Sequence, residues 1–337
     1  MPEFASPPPK PQHAELSFPT PHVLLVTLNR PRDLNCINAQ GHADLHDVWE
    51  WMDEEPILRV GVLTGKGRAF CAGADLKGTC FFLSYDIPQC LCPFVFLELV
   101  FLRDKADKIT EDQKSRKNEK LTRTEWNTRT SNTSQKSAPT PTSGFGGVAR
   151  RKGKKPLICA VNGLCFGGGA EMIINADMVI AASRAVFGLP EVKRGVVAMA
   201  GALPRLVRTV GKQRAMEMVL TGRTLSAVEA ERWGLVNSVV EVPDSGKGKD
   251  EKENEEVSRL VVGKALAFAA EIAGNSPDAV LVSREGVKLG WEGIGADEAT
   301  GMLSETWVKR LYEGENIKEG LQAFVEKRTP VWKDSKL

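Results

Sequence analysis

The stretch that most constrains this chain runs from Lys155 to Ile174. Lys155-Pro156-Leu157-Ile158-Cys159-Ala160-Val161 reads as a short buried strand after a basic turn. It passes through Asn162-Gly163-Leu164-Cys165-Phe166 into Gly167-Gly168-Gly169. From Ala170 the pattern turns helical through Glu171, Met172, Ile173 and Ile174. Glycines between a strand and a helix let a ligand approach the main chain closely. The first N–H groups of the helix have no partner inside it. Such donors, reinforced by the helix dipole, suit an oxygen on which negative charge develops. One donor of this kind contributes roughly 3–4 kcal/mol of transition-state stabilisation.

Two other frames bracket this corner. Arg68-Ala69-Phe70-Cys71-Ala72-Gly73-Ala74-Asp75-Leu76-Lys77 follows the apparent buried strand Val60–Thr64 and the turn Gly65-Lys66-Gly67. Its loop offers a second main-chain donor. Phe187-Gly188-Leu189-Pro190-Glu191 places a second glutamate twenty positions after Glu171. Taken singly, Glu171 is a first-turn helix glutamate favoured by the dipole, and Glu191 is a surface carboxylate after a proline.

Together and in this order, the three frames resemble the catalytic parts of the crotonase (enoyl-CoA hydratase/isomerase) superfamily. The resemblance continues through Gly201-Ala202-Leu203-Pro204-Arg205-Leu206, Val210–Gly222, Trp233-Gly234-Leu235-Val236 and Glu319–Arg328, covering roughly residues 14–77 and 125–330. It implies that the main-chain N–H groups of Ala74 and Gly168 hold a thioester oxygen. Adding water across a conjugated double bond needs a base for the water and an acid for the α-carbon. By resemblance, Glu171 activates the water and Glu191 protonates the α-carbon. Ala72, Asp75, Leu76 and Lys77 fall beside the substrate, and Lys77 and Lys327 are candidates to meet a coenzyme A phosphate.

The expected activity is enoyl-CoA hydratase: reversible syn addition of water to a 2-enoyl-CoA. Coenzyme A is then part of the substrate, and no metal or redox cofactor is implied. Retention of both glutamates argues against double-bond isomerisation. Dehydration of a mevalonyl-CoA type in secondary metabolism is the alternative among hydratases, and a non-catalytic binding homologue is the alternative outside enzymes. The resemblance also implies a homotrimer or homohexamer.

The implied architecture is α/β: the crotonase fold, with repeated ββα units forming a spiral core and a C-terminal helical region. Residues 1–13 read as a loose proline-rich arm, 14–240 as the core and 241–334 as the helical region. His13 to Asn29 reads as strands broken at Pro19 and Pro21. Ala39 to Glu54 reads as an amphipathic helix with Leu45, Val48, Trp49 and Met52 on one face. Ser226-Ala227-Val228-Glu229 is a capping box, and the charged run Asp244–Glu256 reads as a solvated loop.

Composition narrows the classes. At 337 residues the chain can bury a large core. A net charge of +2 lacks the basic bias of a nucleic-acid binder. The four histidines, His13, His22, His42 and His46, lie near the N-terminus, with His42 and His46 one helical turn apart. No cysteine stands at zinc-like spacing from them, so no metal site is expected and the two read as a surface pair. The seven cysteines, without a secretory signal, suggest free thiols in a reducing compartment, with Cys71 and Cys165 filling small apolar space. Ser335-Lys336-Leu337 is the tripeptide read by the peroxisomal import receptor when it stands at a free C-terminus, which points to the peroxisome.

One segment breaks the pattern. Residues 78–124 join an apolar run, Phe81–Leu102, to a basic polar run. Asp86, Pro88, Pro93 and Glu98 argue against a membrane span. Joining Lys77 to Glu125 restores a family-like continuation, so the segment reads as a translated intron. If it is retained, residues 128–154 read as a mobile loop beside the site.

Overall fold

Short apolar runs become strands, and the strands divide between two sheets. The computed structural model describes residues 3–75, 142–243 and 250–337. All of these fall in one compact unit, Met1–Thr79 with Thr140–Leu337. Leu76, Lys77 and the segment 78–124 lie outside the described residues.

Strands β1 (Ala14–Thr20) and β2 (Val23–Leu28) form an antiparallel hairpin. Pro19 sits within β1, at the outer edge of the sheet, where a missing N–H breaks no inner ladder. The register shifts there, between Ser17 and Thr20. β3 (Val60–Gly65), β5 (Leu157–Val161), β7 (Met178–Ala182) and β10 (Ser238–Val240) add in parallel, giving the order β1-β2-β3-β5-β7-β10. β4 (Ala69–Cys71), β6 (Leu164–Phe166), β8 (Val186–Gly188) and β9 (Thr224–Ser226) form the second sheet, in that order. The pairs β3/β4, β5/β6 and β7/β8 thus each visit the first sheet and then the second, which is the expected spiral. Every residue of β3 and β5 is buried, as a parallel sheet covered on both faces requires.

Helix α1 (Ala39–Glu54) follows the hairpin and buries Leu45, Val48, Trp49 and Met52, with Asn38 Oδ1 accepting from Gly41 N at its start. Helix α2 (Gly168–Asn175) follows β6. α3 (Ala202–Val210), α4 (Lys212–Thr221) and α5 (Ala227–Arg232) come next. The C-terminal region comprises α6 (Glu251–Ala273), α7 (Pro277–Trp291), α8 (Ala296–Leu303), a π-helical turn at Ser304–Val308, α9 (Lys309–Glu313) and α10 (Glu315–Glu326). On α6, Val257, Val261, Ala265, Ala269 and Ala273 make a ridge of small residues, and the helix lies along β3, β5 and β7. No helix among the described residues is long and apolar enough to cross a membrane.

The structure corrects several expectations. The arm is not loose: Phe4 stacks against Phe18 and Trp51, and Glu55 accepts from the N–H groups of Ala5 and Ser6. The histidine pair is not on the surface. His42 is buried and accepts from Gly146 N at 3.0 Å, and His46 meets Ser143 Oγ at 2.9 Å. Residues 143–149 are buried against α1 rather than forming a loop in solvent, because α1 offers polar partners as well as an apolar face. The charged run is helical from Glu251, capped by Asp250, which accepts from Lys252 N and Glu253 N. Only half of the capping box forms: Ser226 Oγ accepts from Glu229 N, while the Glu229 carboxylate pairs with Arg223.

Candidate active site

The strand ladder explains how glutamates twenty residues apart meet. β6 pairs with β8 in parallel, Phe166 opposite Gly188, and Gly167 N donates to Gly188 O at 3.0 Å. The chain then enters α2 on one strand and passes Pro190 on the other. A Cβ added to Gly167 would lie 3.4 Å from Glu191 Oε1, so the second carboxylate rests against the glycine that opens α2. Glu171 sits in the first turn of that helix, 5% exposed.

The two carboxyl groups differ in environment. Glu171 Oε2 accepts from Ala202 N at 3.2 Å. Burial pushes its pKa up to about 7; the Ala202 and Ala200 N–H groups oppose this, and the nearby Glu191 charge adds to it. Burial also raises the Glu191 carboxyl, with the Arg194 charge opposing. Glu191 Oε2 is buried and has no hydrogen-bond partner among the described residues. One carboxyl is therefore tethered and the other has a lone pair free for a bound molecule.

The second loop faces the same corner. Gly73 adopts φ +105°, which an L side chain rarely tolerates, and a Cβ there would lie 3.3 Å from Phe166 O and 3.5 Å from Gly168 N. The loop is held by Leu34–Ile37: Ala72 N donates to Leu34 O, Ile37 N to Gly73 O and Asp75 N to Ile37 O. Of its N–H groups, that of Ala74 has no partner among the described residues, and neither has that of Gly168. The two predicted oxyanion donors thus belong to loops in contact, both unpaired. Ala72 spends its N–H on Leu34 O, and the Asp75 carboxylate pairs with Arg30 at 2.7 Å, so both anchor this loop. Lys327 ends α10 in a left-handed conformation and is exposed. No contact within the described residues joins it to the two glutamates. Cys71 and Cys165 are buried neighbours across β4 and β6 whose thiols burial pushes well up, which suits apolar filling and not nucleophilic attack.

Sequence reasoning missed three supports. Asn35 is 2% exposed at φ +56°; its Nδ2 donates to Lys66 O and Ala69 O, and its Oδ1 accepts from Arg30 N. An asparagine in a polar turn after Arg30-Pro31 is the signal that pointed to it. The Gly195–Gly201 turn returns Ala200 and Ala202 to Glu171; its two glycines, at φ +69° and +111°, were the clue. The Phe145 ring packs against Gly168, where an added Cβ would lie 2.4 Å from it, and nothing local announces that contact.

The buried Glu171 carboxyl and the half-buried Glu191 carboxyl stand beside two main-chain donors unpaired among the described residues, an arrangement with the parts that acid–base chemistry on an acyl group needs. The comparisons agree with that class. The family described as enoyl-CoA hydratase/isomerase matches residues 20–84 and 148–335, and the chain belongs to it. The chain is 45% identical over 340 residues to a mevalonyl-coenzyme A hydratase of Beauveria bassiana, covering 99% of each. It is 42% identical over 324 residues to a mevalonyl-coenzyme A hydratase of Aspergillus fumigatus, covering 96% of this chain and 95% of that one. Among solved structures it resembles the enoyl-CoA hydratase EchA1 of Mycobacterium marinum, with TM-score 0.69 and 28% identity over 96% of this chain and 99% of that one.

Proposed function

We propose that the chain is a hydro-lyase interconverting a 2-enoyl-CoA and its 3-hydroxyacyl-CoA. The observation that carries this is the convergence of Glu171 and Glu191 beside the free N–H groups of Ala74 and Gly168. In hydration Glu171 takes a proton from water and the oxygen adds to C3. Charge moves onto the thioester oxygen between the two N–H groups, and Glu191 delivers a proton to C2. One water is consumed and the pair of carboxyl groups ends with the proton it began with. Because both groups serve one water from one side of the acyl group, the addition is syn. A double-bond shift needs only one of the two, so their joint retention favours hydration.

The acyl group we propose is mevalonyl, supported by the identity of 45% and 42% to two proteins of that name over nearly their whole length. Mevalonyl-CoA carries the 3-hydroxyl and C2 protons that this site removes as water. Ser335-Lys336-Leu337 supports delivery to the peroxisome by the receptor that reads it. The exposed apolar side chains Leu321, Phe324 and Val325 of α10 support assembly as a homotrimer or homohexamer.

The test follows the absorbance of the conjugated enoyl thioester, with mevalonyl-CoA and crotonyl-CoA as substrates. Dehydration of mevalonyl-CoA that is lost in Glu171→Gln and in Glu191→Gln establishes the reading. Turnover of crotonyl-CoA alone moves the substrate to straight chains. A folded protein inert on both, and binding neither, would favour a role outside catalysis.

A further inference from the structure

We infer that His42 is a positioning residue for the oxyanion hole, holding Phe145 against Gly168 through the turn Phe145–Gly147. The inference rests on the hydro-lyase reading above, but its evidence comes from contacts that involve neither carboxylate. His42, on α1, is 1% exposed. Its Nδ1 accepts the Gly146 N–H at 3.0 Å, and Trp49 Nε1, two turns along the same helix, donates to Gly146 O at 3.1 Å. Both main-chain polar groups of Gly146 are thus held by α1. The His42 ring also meets Phe145 edge to face, centroids 4.6 Å apart at 82°.

Phe145 passes the constraint on. Its ring occupies the volume a Gly168 side chain would need, 2.4 Å from an added Cβ. From α2, Met172 closes over Gly146. The path therefore runs from His42 to Gly146 and Phe145, and from there to the residue whose N–H faces the thioester oxygen. In an interior packed like a crystal, a loosened ring transmits its shift to what it touches. A misplacement of about 1 Å is enough to lower a rate about 100-fold. A backbone N–H can only donate, so Nδ1 is the acceptor and His42 carries its proton on Nε2. Burial pushes its pKa down to about 4, so the neutral acceptor persists at neutral pH.

The test uses the full chain with two substitutions. His42→Phe keeps a ring and removes the acceptor; His42→Asn supplies an acceptor where Nδ1 was. Two quantities are read: kcat and KM for hydration, and the red shift of bound cinnamoyl-CoA, whose conjugated carbonyl reports the pull of the oxyanion donors. The expected result for His42→Phe is kcat lower by about 10- to 100-fold, KM within about 3-fold and a reduced red shift, with His42→Asn recovering most of both. Unchanged kcat and red shift in His42→Phe, or a loss confined to KM, overturns the inference. So does His42→Asn being as impaired as His42→Phe. Should His42→Phe not fold, Phe145→Leu takes its place, and an undiminished red shift there is equally decisive against it. Glu171→Gln separates the two claims: it abolishes turnover and keeps the red shift if the hydro-lyase reading holds, whereas normal turnover in it sinks that reading.

Discussion

The chemistry is set residue by residue by what surrounds each carboxyl group. Burial raises Glu171, and Glu191 sits close enough for its charge to add to that rise. In the proposed reaction the two carboxyl groups together carry one proton in either direction, because adding water takes up no net proton. The last proton leaves near the raised Glu171 value of about 7. The kcat/KM of the reaction is therefore expected to fall above about pH 7. A kcat/KM that stays level from about pH 6 to about pH 9 would refute a Glu171 proton in the productive form.

The same shift has a consequence for stability. The folded carboxyl of Glu171 binds its proton more tightly than the unfolded one, with a reference value of 4.5. Its contribution is present below 4.5 and lost as pH rises through about 7. Glu171→Gln avoids that loss, so its gain in unfolding free energy should be on the order of 2–3 kcal/mol larger at pH 8 than at pH 4.5. Thermal melts at the two pH values check this, and a gain independent of pH contradicts it.

Among the elements, the loops that hold the donors depend on side chains that replace missing ladders. Asn35 ties β3 to β4 through Lys66 O and Ala69 O, and the segment after it pairs with the oxyanion loop. Asn35→Ala leaves buried main-chain groups unpaired and puts a less tolerant residue at positive φ. A loss of about 2–4 kcal/mol is expected from denaturant titration, with kcat reduced in what remains folded. The helix caps are more local. Ser276 Oγ accepts from Ala279 N at the start of α7, and Ser276→Ala should lower stability by about 1 kcal/mol without touching turnover.

At the level of the whole molecule, two proposals can be checked by size and by deletion. The apolar side chains left exposed on α10, with Phe324 84% exposed, are expected to be covered by other copies. Sedimentation should return a trimer or hexamer that Phe324→Glu weakens; a wild-type monomer at micromolar concentration would refute assembly. The family match skips residues 85–147, which include most of the segment read as a translated intron. Deleting 78–124 is expected to preserve turnover, and spliced transcripts that mainly retain the segment would refute the intron.

The sequence by itself determined the pieces. The boundaries of α1, the presence of β5, though it starts at Leu157 and not at Lys155, and the glycine corner before α2 were legible, because periodicity, apolar runs and glycine chemistry act over a few residues. Only the tertiary structure decided how they meet. Glu191 reaches Gly167 because β6 and β8 pair in a particular register. His42 is buried and the arm is tied down because distant elements supply their partners. Those partners are 104 and 50 residues away along the chain, and a bond across such a span leaves no mark in the local pattern.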